Sequence, residues 1–183
     1  MAHGNQKDLL TYQYVFQAIA SLAIFVAVAS FLWRKEVNEV CKAPYFNVPP
    51  SDLVDVSRRF RDILKIWWTF ALIDFIRSLI GILAVQNDSK KLANLYQLLV
   101  LNDFLGVAAV IILHIYRFQF SGKWCSGDFL EDDSFDRPNY LILRGKLLLG
   151  LVIGVWVGLF TYGCLLNGLI TAASRRDSGI EIK

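Results

Sequence analysis

The sequence predicts an all-α integral membrane protein, a tetraspan-like bundle of four transmembrane helices. Four apolar runs are the first reason, because each matches or exceeds the roughly 20 residues that a membrane-spanning helix needs. Composition is the second: 55% of the 183 residues are hydrophobic and only 19% are charged, and a water-soluble domain of this length cannot bury so much apolar surface. The third is a polar connection between the second and third runs, which is too short for anything but a tight antiparallel hairpin.

The four predicted spans are separated by two larger loops and one short turn. The spans cover residues 10–33, 63–85, 92–116 and 141–172, and the larger loops cover residues 34–62 and 117–140. The first run is longer than the apolar core of a secretory signal and only Lys7 precedes it, so we expect it to be retained as a span. Because no segment outside the spans is long enough to form a soluble domain, we expect residues 1–183 to be a single membrane domain.

Orientation follows from the number of spans and from the distribution of basic residues. An even number of spans places both termini and the turn at residues 86–91 on one side of the membrane, and the two larger loops on the other. The loops contain more Lys and Arg residues in total, but they are also about twice as long, so the density of positive charge favours cytoplasmic termini. We therefore expect a multi-pass protein with both termini in the cytoplasm.

Three ionisable residues lie deep inside the apolar runs: Asp74 and Arg77 in the second, and Asp103 in the third. Asp74 comes 15 residues before Ser89 in the turn, and Asp103 comes 14 residues after it. At 1.5 Å per residue, both carboxylates lie roughly 21–22 Å from the turn, at one depth near mid-membrane. An isolated charge there would cost at least about 2.5–3.5 kcal/mol, so we expect the three side chains to form one ionic cluster.

This ionic cluster has two interpretations. Two carboxylates against one guanidinium leave either a negative charge or a shared proton, which is typical of a proton or cation site. A proton relay needs further polar groups, and His114, on the same face of the third span as Asp103, is one candidate. Alternatively, the cluster is an internal ion pair that fixes the register of the second helix against the third.

Small residues form a packing motif on the fourth span. Three glycines are spaced four apart: Gly150, Gly154 and Gly158. Consecutive small-xxx-small steps allow another helix backbone to approach closely, and helix association in lipid depends on such contacts. The first span has a matching surface at Ala20, Ala23 and Ala27, so the partner is either this helix or another copy of the chain. A polar stripe that contains Gln17 and Ser21 predicts that the first span also forms interhelical hydrogen bonds.

The cysteines give two alternatives and no metal site. Cys41 and Cys125 fall in the two larger loops, hence on one side of the membrane, while Cys164 lies within the fourth span. If that side is extracellular or lumenal, Cys41 and Cys125 are able to form a disulfide between the loops; in a reducing compartment they are free thiols. No Cys/His cluster is present, and the acidic run of the second loop lacks the spacing of an EF-hand, so we expect no metal ion.

Motifs of catalysis and of cofactor binding are absent from the sequence. No nucleophile elbow, zinc-protease, Walker or dinucleotide-binding pattern occurs, so we expect no enzymatic activity, no cofactor and no small-molecule substrate. The net charge of +3 is divided among many segments and gives no reason to expect nucleic-acid binding. Four spans with short connections are similar, in architecture alone, to small tetraspan membrane proteins such as the MARVEL-type group.

The function that these observations favour is structural. Almost all of the chain forms spans, packing glycines and interfacial anchors, which indicates a non-enzymatic integral membrane scaffold that associates with itself or with partners to organise or shape the bilayer. Two alternatives remain. One is a small proton or cation conductor that uses Asp74 and Asp103, and the other is an accessory subunit of a large energy-converting membrane complex.

Overall fold

The computed structural model describes the backbone of residues 2–33, 40–44, 53–130 and 140–178, and the side chains of these ranges apart from residues 2–6, 162–163 and 165–178. The structure is mostly helical (85%). Four of its helical segments are long and apolar enough to cross a membrane: Lys7–Leu32, Val56–Gln86, Lys90–Phe118 and Ile142–Thr161. The predicted number of apolar helices of spanning length is confirmed for the described residues.

Six helices and two short strands make up the described fold. The helices are α1 (Ala2–Leu32), α2 (Val56–Gln86), α3 (Lys90–Leu98), α4 (Asn102–Phe118), α5 (Phe120–Cys125) and α6 (Ile142–Ser178). The strands β1 (Lys42–Pro44) and β2 (Leu53–Asp55) pair antiparallel, with Ala43 opposite Val54. A 3₁₀ turn, Leu99–Leu101, joins α3 to α4.

The helix α2 lies at the centre of the fold, because it contacts α1, α3 and α4, while α6 contacts α4. On α1, the buried positions Ala18, Ser21 and Val28 follow the three-to-four residue period of one helix face. The large side chains of the buried core on α2 are Phe60, Ile63, Leu64 and Trp67. Burial of aromatic and branched side chains on α2 thus explains why the other helices gather around it.

The second helix begins before its predicted apolar run. The sequence assigns residues 34–62 to the first larger loop and predicts, at the end of this loop, an interfacial helix capped by Ser51 or Asp52 that continues into the span. The structure has such a continuous helix, but α2 begins at Val56, after β1 and β2. Its N-cap is Asp55, whose side chain accepts a hydrogen bond of 3.0 Å from the backbone N–H of Arg58. A capping carboxylate of this kind satisfies a free N–H group in the first turn, which stabilises a helix start outside the apolar segment.

The predicted tight hairpin is present between α2 and α3. The turn at Asn87, Asp88 and Ser89 places Asp88 at φ 48°, in the left-handed region that Asp adopts more readily than most residues. The backbone N–H groups of Asn87 and Ser89 donate to the carbonyl oxygens of Leu83 and Ala84. These bonds close the end of α2 and reverse the chain within three residues.

The sequence predicts one span over residues 92–116. The structure has a segment of spanning length here, Lys90–Phe118, but this segment is not one uniform α-helix. The 3₁₀ turn Leu99–Leu101 divides it, and burial changes at the same point. None of the described residues of α3 or of the 3₁₀ turn is buried, whereas α4 buries Asn102, Gly106, Ala109, Leu113 and Arg117. The third segment therefore contacts the fold along both halves, but it buries side chains through its second half only.

Candidate functional site

Asp74 forms the buried end of the ionic cluster, and two helices supply its donors. Its Oδ1 accepts a hydrogen bond of 2.9 Å from Gln17 Nε2, and its Oδ2 accepts one from Ser21 Oγ. Gln17 and Ser21 are four residues apart on α1 and so share a helix face. The same carboxylate lies 3.0 Å from Arg77 Nη2 on its own helix. Both oxygens of Asp74 are therefore engaged, and α1 and α2 are joined through them.

Arg77 connects α2 to α4. Its Nη1 lies 2.6 Å from Asp103 Oδ1 while Nη2 contacts Asp74, so one guanidinium bridges two carboxylates on two helices. The guanidinium carbon also lies 5.5 Å from the centre of the Tyr96 ring, within the range of a cation–π interaction. The Arg77 side chain is buried, with 8% of its surface exposed. A buried guanidinium with two anions and an aromatic face is held rigidly.

Asp103 is the open end of the cluster. Its side chain is 52% exposed, against 10% for Asp74, and its Oδ1 contacts Arg77. With both carboxylates ionised, the cluster carries one negative charge in excess of the single guanidinium. The Asp103 carboxylate lies on the side of the cluster that the described residues leave uncovered. The site is thus closed towards α1 and open beside α4.

Three further side chains of the site differ in how far the sequence indicates them. Gln17 and Ser21 belong to the polar stripe from which hydrogen bonds were expected, and the structure forms them with Asp74. Tyr96 was not selected by sequence reasoning. A signal was available, because Tyr96 precedes Asp103 by seven residues, which is two helical turns and places both residues near one face.

His114 is engaged locally and does not continue the cluster. Its Nδ1 lies 2.7 Å from the backbone oxygen of Val110, and its Nε2 accepts a hydrogen bond of 3.0 Å from Trp156 Nε1 on α6. These two contacts use both ring nitrogens and fix α6 against α4. Among the described side chains, these contacts of His114, the candidate next group of a proton relay, therefore do not lead to Asp103.

The glycine face of α6 (Gly150, Gly154 and Gly158) is open. A Cβ atom placed on each of these glycines meets no atom within 4 Å. The matching small residues of α1, Ala20, Ala23 and Ala27, are exposed. Among the described residues, these two surfaces therefore do not contact each other. The reason is that α1 turns Ser21 and Val28 towards the core, while α6 packs through Leu148 and Val152.

The two larger loops are joined on the side opposite the hairpin. Cys41 and Cys125 form a disulfide with a Cα–Cα distance of 6.0 Å, and both residues are buried. Nearby on the chain, Arg117 donates two hydrogen bonds to the Asp128 carboxylate, at 2.7 and 2.9 Å, and a third to the Gly145 backbone oxygen. The start of α6 is thereby held against the end of α4.

The acidic run of the second loop is described only at Asp128, which pairs with Arg117; its other members, Glu131, Asp132, Asp133 and Asp136, lie outside the described residues. Within the described ranges, no group of three or more His, Cys, Asp and Glu side chains is close enough to hold a metal ion. No protein-family model, curated protein or solved structure matches this chain.

Proposed function

We propose that this chain is a non-enzymatic integral membrane scaffold, a four-span bundle in a single membrane domain that associates laterally in the bilayer. It associates with copies of itself or with other membrane proteins, and so organises or shapes the membrane. The observation that carries the proposal is the half-exposed carboxylate of Asp103, which belongs to a cluster of two carboxylates and one guanidinium within the apolar helices.

The closed half of the cluster supports a structural role. Asp74 receives donors from Gln17, Ser21 and Arg77, so its oxygens are occupied by protein groups. A carboxylate that binds and releases an ion needs coordination sites that are not permanently filled. The network instead joins α1, α2 and α4 in one register, as a rigid scaffold requires.

The open half supports association. Lipid tails cannot solvate a carboxylate, and a charge at mid-membrane is stable only when it is paired or covered. Asp103 has 52% of its side chain exposed, so a second helix that supplies a donor would lower its free energy. The open glycine face of α6 provides a separate surface where another helix backbone can approach closely.

The disulfide supports an orientation with cytoplasmic termini. Cys41 and Cys125 are bonded and buried, and disulfides persist in extracellular, lumenal and periplasmic compartments. The larger loops therefore belong on the non-cytoplasmic side, and the termini and the hairpin on the cytoplasmic side.

Single-molecule photobleaching of the full chain in liposomes tests the association. We expect the wild type to form dimers or larger assemblies as the protein-to-lipid ratio rises, and Gly154→Leu to weaken them about tenfold or more, because leucine blocks close approach. Ile153→Leu is the matched control. Ile153 is exposed on the same helix, and this substitution keeps the volume of the side chain. A wild type that stays monomeric and copurifies with no membrane partner contradicts the scaffold.

Conduction of protons or cations is the second candidate, and the excess charge of the cluster favours it. Flux into proteoliposomes separates the two functions. The scaffold predicts no flux above that of empty liposomes, and it predicts that Asp74→Asn with Asp103→Asn changes stability and assembly but not flux. A proton or cation flux that this double substitution abolishes would replace the scaffold by the conductor.

A further inference from the structure

A cleft of about 480 Å³ lies between α1, the end of α2 and α3, on the hairpin side of the molecule. Its volume falls within the roughly 300–1,000 Å³ of typical ligand sites. Lys7, Asp88 and Lys90 lie at its outer end, beside the hairpin turn, and Tyr14 and Tyr96 lie at its inner end. Neither the glycines of α6 nor Asp103 lines the cleft, which shares Tyr96 with the ionic cluster.

The cleft exists because small residues of α2 and α3 face it and because α3, which contacts α2, buries none of its described side chains. None of the described side chains of α3 is buried, and the 3₁₀ turn at Leu99–Leu101 changes the path of the chain before α4 packs against the core. Gly81, Ala84 and Ala93 line the space between α1 and α3. A Cβ atom on Gly81 would lie 3.1 Å from the Tyr14 ring, so this glycine lets the ring lie against α2 at the inner end.

The polarity of the lining changes along the cleft. Its outer end has two lysines and one aspartate, and Lys7 forms an ion pair with Asp88. Lys90 adds a further positive charge, so the outer end carries one net positive charge. The middle of the cleft is apolar, with Leu10, Ala84 and Val85. A ligand that complements this lining has an anionic head and an apolar chain.

We infer that the cleft binds one anionic phospholipid, with its phosphate beside Lys90 and part of an acyl chain along Leu10, Ala84 and Val85. The hairpin turn lies at one end of two membrane-spanning helices, which places Lys90 at the level of the headgroups. A gap between helices that opens to the bilayer is filled by lipid chains, and a lysine at the headgroup level attracts anionic lipids. This lipid site does not depend on the scaffold proposal, because it needs no second copy of the chain.

Native mass spectrometry of the delipidated full-length protein tests the site, with dioleoyl phosphatidylglycerol as the probe and dioleoyl phosphatidylcholine as the zwitterionic comparison. We expect one phosphatidylglycerol to bind more tightly than phosphatidylcholine. Ala84→Phe fills the cleft and should weaken phosphatidylglycerol binding about tenfold or more. Leu83→Phe is the matched control, because Leu83 precedes Ala84 on α2, is 47% exposed and does not line the cleft.

The headgroup contact has its own pair of variants. Lys90→Gln should weaken phosphatidylglycerol binding about fivefold, the effect of one lysine near an anionic headgroup. Lys91→Gln removes the same charge one residue away, from a position that does not line the cleft, and should leave binding unchanged. All of these positions are at least partly exposed, so circular dichroism should show intact helices.

Three results would overturn the lipid site. The first is that Ala84→Phe binds phosphatidylglycerol as the wild type does. The second is equal binding of phosphatidylcholine and phosphatidylglycerol. The third is an equal loss of binding in Lys90→Gln and Lys91→Gln, which would indicate a general surface attraction. The oligomeric state measured by photobleaching tests the scaffold alone, and none of these three results depends on it.

Discussion

At the level of single residues, the ionic cluster depends unequally on its members, because one guanidinium faces two carboxylates. Arg77→Gln leaves Asp74 and Asp103 without a counter-charge, and breaking a buried pair in this way costs about 3–5 kcal/mol. Asp103→Asn removes the excess charge and keeps an oxygen that accepts from Arg77. We therefore expect Arg77→Gln to lower the free energy of unfolding by about 3 kcal/mol or more, and Asp103→Asn by less than about 1 kcal/mol.

Unfolding by SDS in mixed micelles measures this difference between the two variants. Lys65→Gln is the control, because Lys65 is exposed on the same helix as Arg77 and loses the same charge. Equal destabilisation by Arg77→Gln and Lys65→Gln would mean that the guanidinium has no structural role in the cluster.

The glycines provide a second contrast at the residue scale. A Cβ atom on Gly106 of α4 would lie 2.7 Å from Cε2 of Phe70, whereas one on Gly150 of α6 meets nothing within 4 Å. Gly106→Ala should cost about 1–3 kcal/mol through overpacking. Gly150→Ala should change the stability of the monomer by less than about 0.5 kcal/mol.

Thermal unfolding of the two alanine variants in detergent compares these costs. The additional substitution Phe70→Leu should restore part of the stability that Gly106→Ala loses, since it removes the clashing ring atom. A Gly106→Ala protein as stable as Gly150→Ala would show that α4 and α2 do not approach as closely at this point as the distance to Phe70 indicates.

The depth of the charged residues was predictable, while their partners were not. A helix rises by a fixed distance per residue, so Asp74 and Asp103 had to share a level once the hairpin was placed. Which side of Asp103 stays open depends on how α4 is rotated about its axis. The 3₁₀ turn before Asn102 divides the third apolar segment. Its sequence, Leu99–Leu101, is apolar throughout and therefore does not predict a turn.

At the level of elements, the disulfide between Cys41, which precedes β1, and Cys125 of α5 is a covalent connection outside the spans. It joins residues 84 positions apart, and a disulfide typically stabilises a protein by about 2–4 kcal/mol. We expect reduction, or Cys41→Ser with Cys125→Ser, to lower the unfolding temperature of the full chain. The reason is that the first loop is then released from α5.

Cys164→Ser serves as the control for the disulfide, because Cys164 is a free cysteine and is exposed. This variant should unfold at the wild-type temperature and should remain sensitive to reductant. A wild-type protein whose unfolding temperature is the same with and without reductant would contradict a stabilising disulfide.

Short elements in the loops were the part of the fold that the sequence could not reveal. The strands β1 and β2 are three residues each and α5 is six, so none shows a readable hydrophobic period. The sequence also could not show which helix packs on each small-residue face. The spacing of small residues shows that another helix can approach closely, but it does not identify that helix. The rotation of α1 excludes its alanine face from the core, because the hydrogen bond from Ser21 to Asp74 turns Ala20, Ala23 and Ala27 outwards.

At the level of the whole molecule, the described contacts connect the helices at two positions along the length of the spans. The ionic cluster joins α1, α2 and α4 near the middle of the spans, and the disulfide together with Arg117 joins the loops to α4 and α6 at one end. At the other end, the hairpin side, α3 buries none of its described side chains. The molecule is therefore most firmly connected on the side of its larger loops.

This asymmetry leads to a prediction about orientation. Basic residues give opposite answers by total number and by density, so they leave the orientation open. The disulfide distinguishes between the two orientations, because glutathione and thioredoxin keep thiols reduced in the cytosol. We expect an Asn-x-Ser acceptor placed within residues 131–139 to be glycosylated in microsomes, and one placed before Lys7 to remain unmodified. Modification of the acceptor before Lys7 alone would place Cys41 and Cys125 in a reducing compartment, where the disulfide would not persist.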